Sequence, residues 1–242
     1  MKTRRWHKAQ EYERSYWVNT AEKIVEGSTG QLGWYEWKFN EMEKRLLLHI
    51  PTERYNLFNI LEIGCGPIGI ISFINRGSRY GLDPLEEFYK SNKTLTKLRD
   101  PRVQYLVGTG ERIPFEDDFF DLVITDNVLD HVSNTNAVME EIIRVLKPGG
   151  FLYLIVNLRT WSGTQFHKLL SRLLIDKGHP QSFDVAAIRN LIGRFQLSVL
   201  SESVSDSREA RLRDMRSPLI KDNIKGYTGL SEFLYYAVCQ KS

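Results

Sequence analysis

Little in this chain points to a metal, a membrane or a nucleic acid. Two cysteines, Cys65 and Cys239, stand far apart in 242 residues, which excludes a disulfide framework and a thiolate metal spacing. Both are read as reduced thiols. The longest apolar run, "FLYLIVNL", is far too short to cross a bilayer, so no membrane span is expected. The opening "MKTRRWHKAQEYERS" is charged and lacks the apolar core of a secretory signal, so a cytoplasmic location is expected. A net charge of +3 without a concentrated basic face argues against a nucleic-acid partner. There is no internal repeat and no low-complexity segment.

What is present is a hydrophobic content of 42% with 26% charged residues, the balance of a soluble globular protein of one well-filled domain. The first 55 residues read as aromatic-rich helices separated by the turn-like "EGSTGQLG", residues 26–33. An alternation follows: strand "NILEI", short helix "GIISFI", strand "RYGLD", a polar helix over 85–99, and strands "VQYLV" and "FDLVIT". Helix "NAVMEEIIRVL", the stop "KPGG" and strand "FLYLIV" complete it, which predicts parallel strands with helices on both faces. Ser182 is a candidate cap for a helix reaching Gly193, and "QLSVLSESV" and "EFLYYAVCQ" read as two more strands. Between them, residues 206–230 form a polar insertion with six cations, Arg208, Arg211, Arg213, Arg216, Lys221 and Lys225. Interspersed acids make a solvated face the expectation there, with bidentate binding of an acidic acceptor as the alternative.

The chemistry concentrates in "LEIGCGPIG", with glycines at 64, 66 and 69. A glycine loop after the first strand of a doubly wound sheet is a ligand site, and Asp83, 19 residues after Gly64, is placed to accept from ribose hydroxyls. Dinucleotide-dependent hydride transfer and a sulfonium ligand share those features. They part at Glu62, a carboxylate at the mouth of the strand that repels a diphosphate, and at Pro67, which removes a backbone donor. A cationic ligand with a ribose and no phosphate fits better.

With "GLDP", "GTGERIPFEDDFFDLV", "DNVLDHV" and "RVLKPGG" in that order, residues 58–157 resemble the class I S-adenosylmethionine-dependent methyltransferases of small-molecule type. The resemblance implies an α/β fold: a doubly wound, seven-stranded, mostly parallel sheet whose last strand runs antiparallel, with an N-terminal helical cap over 1–55. The core then occupies 56–205 and 231–242. It also implies S-adenosylmethionine as cofactor, bound by Glu62, Gly64, Gly66, Asp83, Thr109, Gly110, Glu111, Asp126 and Asn127.

Transfer to a hydroxyl needs a base, and histidine is matched to neutral pH. His131, near Asp126 and Asp130, is the first candidate and His179 the second; His167 is read as packing. The aromatics Trp6, Tyr12, Tyr16, Trp17, Trp34, Tyr35 and Trp37 are read mainly as packing, with at least one reaching the ligand. Asp126, Asn127 and Asn157 resemble the metal positions of catechol-type enzymes, but Leu158 stands where a second acid belongs, so no metal is expected. The function read is methyl transfer to a small-molecule or glycan acceptor, phosphorylated or not, at oxygen. The alternatives are a nucleic-acid or protein methyltransferase and a catalytically silent binding subunit.

Overall fold

The structure is a computed structural model that describes residues 4–25, 30–172 and 180–242, with side chains over 6–22, 34–170 and 180–242. Two helices, α1 (Arg4–Val25) and α2 (Gly30–Leu46), and a single turn, α3 (Thr52–Tyr55), precede the sheet. The expected turn over 26–33 is corrected: residues 30–33 already belong to α2, while 26–29 lie outside the described residues. Tyr35, Lys38, Met42 and Leu46 fall on one buried helical face, and burial of that face outweighs the cost of about 1 kcal/mol for each early glycine.

Strands β1 (Asn59–Ile63), β2 (Ser78–Asp83), β3 (Gln104–Val107), β4 (Phe120–Asp126), β5 (Leu146–Leu158), β6 (Leu197–Val204) and β7 (Phe233–Lys241) form one sheet in the order β3-β2-β1-β4-β5-β7-β6. Pairings from β3 through β5 are parallel, and β7 runs antiparallel between β5 and β6, as the resemblance implied. Alternation sorts the strand residues onto two faces. Leu61, Ile63 and Val123 pack in one core with Val138, Met139 and Ile142. Ile60, Leu122 and Ile124 pack in the other with Met42 and Leu46.

The polar helix expected over 85–99 is two short ones, α4 (Glu86–Ser91) and α5 (Lys93–Thr96). Asn92 takes an extended conformation between them and its Oδ1 accepts from the Thr94 and Leu95 N–H, so a good N-cap residue interrupts the helix. Helix α6 (Thr135–Val145) is capped in the same way by Asn134. The "KPGG" stop is a bulge inside β5: Phe120 pairs with Leu146 and Leu122 with Phe151, with Gly149 at φ +73° between. Beyond β5 come α7 (Trp161–Arg172) and α8 (Val185–Arg194). The cap of α8 is Asp184, whose Oδ1 accepts from the Ala187 N–H at 2.8 Å, rather than Ser182. The polar insertion forms two helices, α9 (Ser207–Met215) and α10 (Ile220–Thr228), packed on each other. No helix among the described residues is long and apolar enough to cross a membrane.

Candidate active site

Strand order reverses between β1 and β4, so their carboxyl ends open a crevice. Gly64 and Gly66 enter it at φ +67° and +62°, conformations that cost glycine little and other residues much. A Cβ on Gly64 would stand 2.6 Å from Val128 Cγ2. No other residue fits that turn without displacement.

The donors of the loop are committed to the protein itself. Gly64 and Cys65 donate to the Leu82 carbonyl at 2.7 and 3.4 Å. Gly66 donates to Asp83 Oδ2 at 2.9 Å. Ile70 and Ile71, in the 3-10 turn that follows, donate to Glu62 Oε1 and Oε2 at 3.2 and 2.7 Å. Glu62 is therefore not an open charge at the strand's mouth. It is buried, and it folds the loop back over β1 while bordering the crevice.

Burial pushes the Glu62 carboxyl up to about 8 against those two hydrogen bonds. Asp83, which also accepts from the Leu85 N–H at 2.8 Å, is pushed by burial up to about 6.

All nine residues proposed from the resemblance to hold a cofactor border one cavity, with about 1060 Å³ of empty space open to solvent, and so does His131. Trp6 and Trp17 of α1 and Trp34 and Tyr35 of α2 close its other side, whereas Tyr12 and Tyr16 are exposed away from it. Glu111 also acts as a brace: its Oε1 accepts from the Ser133 N–H and Oγ at 2.9 Å each. His131 Nε2 stands 3.9 Å from Asp130 Oδ2, beyond hydrogen-bond length. His167 is buried on α7 and is not among the residues lining this cavity; His179 lies outside the described residues.

Lys38 was not singled out in the sequence. It reaches from α2 to form a buried ion pair with Asp126 Oδ2, and its Nζ sits 3.5 Å from the centre of the Trp34 ring. Burial holds the Asp126 carboxyl above its ordinary range despite that ammonium, and Asp126 Oδ1 has no partner. The signal was present as Trp34, Trp37, Lys38 and Glu41, spaced as one helical face. Those four, with Asp126, Asn127 and Asn157, border a second cavity beside the first.

Residues 61–154 match the family described as "Methyltransferase domain". Over these residues the chain is similar to S-adenosylmethionine-dependent methyltransferases. An uncharacterized methyltransferase of Schizosaccharomyces pombe is 33% identical over 104 residues, which cover 38% of this chain and 37% of that protein. The mitochondrial ubiquinone biosynthesis O-methyltransferase of Rattus norvegicus is 32% identical over 116 residues, 44% of this chain and 32% of that one. The chain thus spans about a third of the length of these relatives. In fold it is similar to phosphoethanolamine N-methyltransferase 2 of Haemonchus contortus, solved with S-adenosyl-L-methionine. The TM-score is 0.59 at 17% identity, over 84% of this chain and 52% of that one. The methyltransferase domain match contains Glu62 through Asn127 but not α1 and α2, so the aromatic wall and Lys38 belong to this chain's own N-terminal part. No group of three His, Cys, Asp or Glu placed to hold a metal ion is found among the described residues.

Proposed function

We propose that the protein is an S-adenosylmethionine-dependent methyltransferase, cytoplasmic, acting on a hydroxyl of a small-molecule or glycan acceptor. The observation that carries the choice of cofactor is the occupancy of the loop. A diphosphate needs free backbone donors, and those of Gly64, Cys65, Gly66, Ile70 and Ile71 already serve carbonyl or carboxylate oxygens. The charge balance supports it: Glu13, Asp83, Glu111 and Asp126 line the cavity against the single ammonium of Lys38, and Glu62 is a further carboxyl that a cation can ionise.

In this reading Glu62, Gly64 and Gly66 border the methionine part and the ribose of the cofactor, Asp83 the ribose, Thr109, Gly110 and Glu111 the adenine, and Asp126 with Asn127 the methionine part. The cofactor supplies a methyl group already activated on a sulfonium. The protein's part is alignment and exclusion of water, which the aromatic wall of α1 and α2 provides. His131 at the cavity edge and His179 remain the proposed bases for the acceptor proton.

Calorimetric titration tests the reading. S-adenosylmethionine is expected to bind and NADH is not. Because Glu62 is pushed up to about 8, arrival of a cation ionises it, so binding near pH 7 releases protons, seen as a heat that depends on the buffer. Binding of NADH with no binding of the sulfonium compound overturns the proposal.

A further inference from the structure

The second cavity lies beyond the carboxyl ends of β4 and β5 and the amino end of the antiparallel β7, with about 780 Å³ of empty space open to solvent. It shares four residues with the first: Trp34, Lys38, Asp126 and Asn127. Two reactants that exchange an atom must approach to about 3–3.5 Å, so if the first cavity holds the donor, these shared residues mark where the acceptor meets it. That condition rests on the reading proposed above.

The chemistry of the shared wall is specific. The Asp126 side chain is 6% exposed; Oδ2 is held by Lys38, while Oδ1 is buried with no hydrogen-bond partner, and so is Oδ1 of the adjoining Asn127. A buried carboxylate oxygen without a donor costs free energy that an incoming O–H recovers. Around it stand flat faces: Trp34, Trp37 and Tyr236, with the two tryptophans about half exposed. The other acids of the cavity are answered within the protein, Glu41 by Lys44 and Arg45 and Glu232 by Arg159 and Lys225. Nothing in that balance calls for a charged acceptor. Of the six cations in the polar insertion only Arg213 borders this cavity; it is exposed and bound to Asp214.

We infer that the second cavity is the acceptor site for a neutral ring bearing a hydroxyl, the ring lying against Trp34 and Trp37 and the hydroxyl donating to Asp126 Oδ1. Asp126 then stands between the methionine end of the donor and the acceptor, and its Oδ1 receives the hydroxyl proton as the methyl group arrives, a role otherwise open to His131 and His179. Lys38 is a positioning residue that fixes the carboxylate with one oxygen engaged and the other open. The ring chemistry has two sources, a phenol and a pyranose, because both offer a flat apolar face and an O–H.

The test uses the full chain saturated with S-adenosylhomocysteine, with the indole N–H resonances of Trp34 and Trp37 followed by NMR. The probes are phenol against anisole, and methyl glucoside against its fully O-methylated ether, each titrated to about 10 mM, the range of weak fragment binding. One hydroxylated probe is expected to shift both resonances and to bind about tenfold more tightly than its ether, the worth of one hydrogen bond to a charged acceptor. Which pair responds identifies the source.

Trp37→Ala should abolish probe binding and leave S-adenosylhomocysteine affinity within about twofold, since Trp37 is not among the residues lining the first cavity. Asp126→Ala strands the Lys38 ammonium and risks misfolding, so the double variant Lys38→Ala, Asp126→Ala is made beside it. In whichever of them folds, the preference for hydroxyl over ether should fall to within about twofold. Bound S-adenosylhomocysteine with no shift at either tryptophan overturns the inference alone, as does a preference that survives the double variant. Failure of S-adenosylhomocysteine to bind overturns the donor reading and this inference with it.

Discussion

Gly64 and Glu62 show how single residues set the site. At Gly64 two penalties coincide, a left-handed φ and a Cβ pressed against Val128, whereas Gly149 has φ +73° and nothing within 4 Å. Gly149→Ala should therefore cost roughly 1–2 kcal/mol and Gly64→Ala clearly more, read as urea midpoints. Equal costs would show that Val128 yields freely.

Glu62 and Asp83 make the stability of the ligand-free protein depend on pH. Their folded pKa values are raised above the ordinary carboxylate range, to about 8 and about 6, so the folded state binds more protons between those limits. The stability they contribute is complete below about pH 4 and is lost as pH rises through 6 and then 8. Over that window the decline is expected to be on the order of a few kcal/mol, and Glu62→Gln should remove its upper part. A urea series from pH 4 to 9 on both proteins checks it, and identical curves would rule out the assignment.

At the scale of elements, capping decides boundaries that periodicity leaves open. Asn134 Oδ1 accepts from the Asn136 and Ala137 N–H at 3.1 and 3.2 Å, so Asn134→Ala should destabilise the fold by about 1 kcal/mol. Its effect on cofactor affinity should be small, and a urea midpoint beside a calorimetric titration separates the two. Asn92 is a good cap residue inside a polar run that periodicity reads as one helix, and Asp184 rather than the nearby Ser182 caps α8. Several residues of such a run have a side chain able to cap, and the one that does is chosen by where the chain turns. Residues 206–230 follow the same logic: polarity announced exposure, but only packing of α9 on α10 made two helices of them.

For the molecule as a whole, the sheet buries the middle strands on both faces, with β1 paired to β2 and β4, and β4 paired to β1 and β5. Helix α1 is anchored by a few residues, Trp6, Ala9, Trp17 and Ala21 among them. Hydrogen exchange should accordingly be slowest in β1, β4 and β5 and much faster in α1, and S-adenosylmethionine should slow α1 and α2 selectively. Uniform protection with and without ligand would contradict a closing role for those helices.

The order of strands and helices, the glycine turn after β1 and the acid ending β2 were legible in the chain, because they rest on local demands: hydrophobic period, a left-handed φ, and the short reach from one strand end to the next. The partners of the charges were not. Glu62 turned inward to organise the loop because alternation placed it under the 3-10 turn, a neighbour defined only once the chain had folded back. Lys38 met Asp126 across 88 positions of sequence, and no periodicity carries information over that distance. Short-range sterics fixed the elements, whereas long-range burial decided which charged groups face each other.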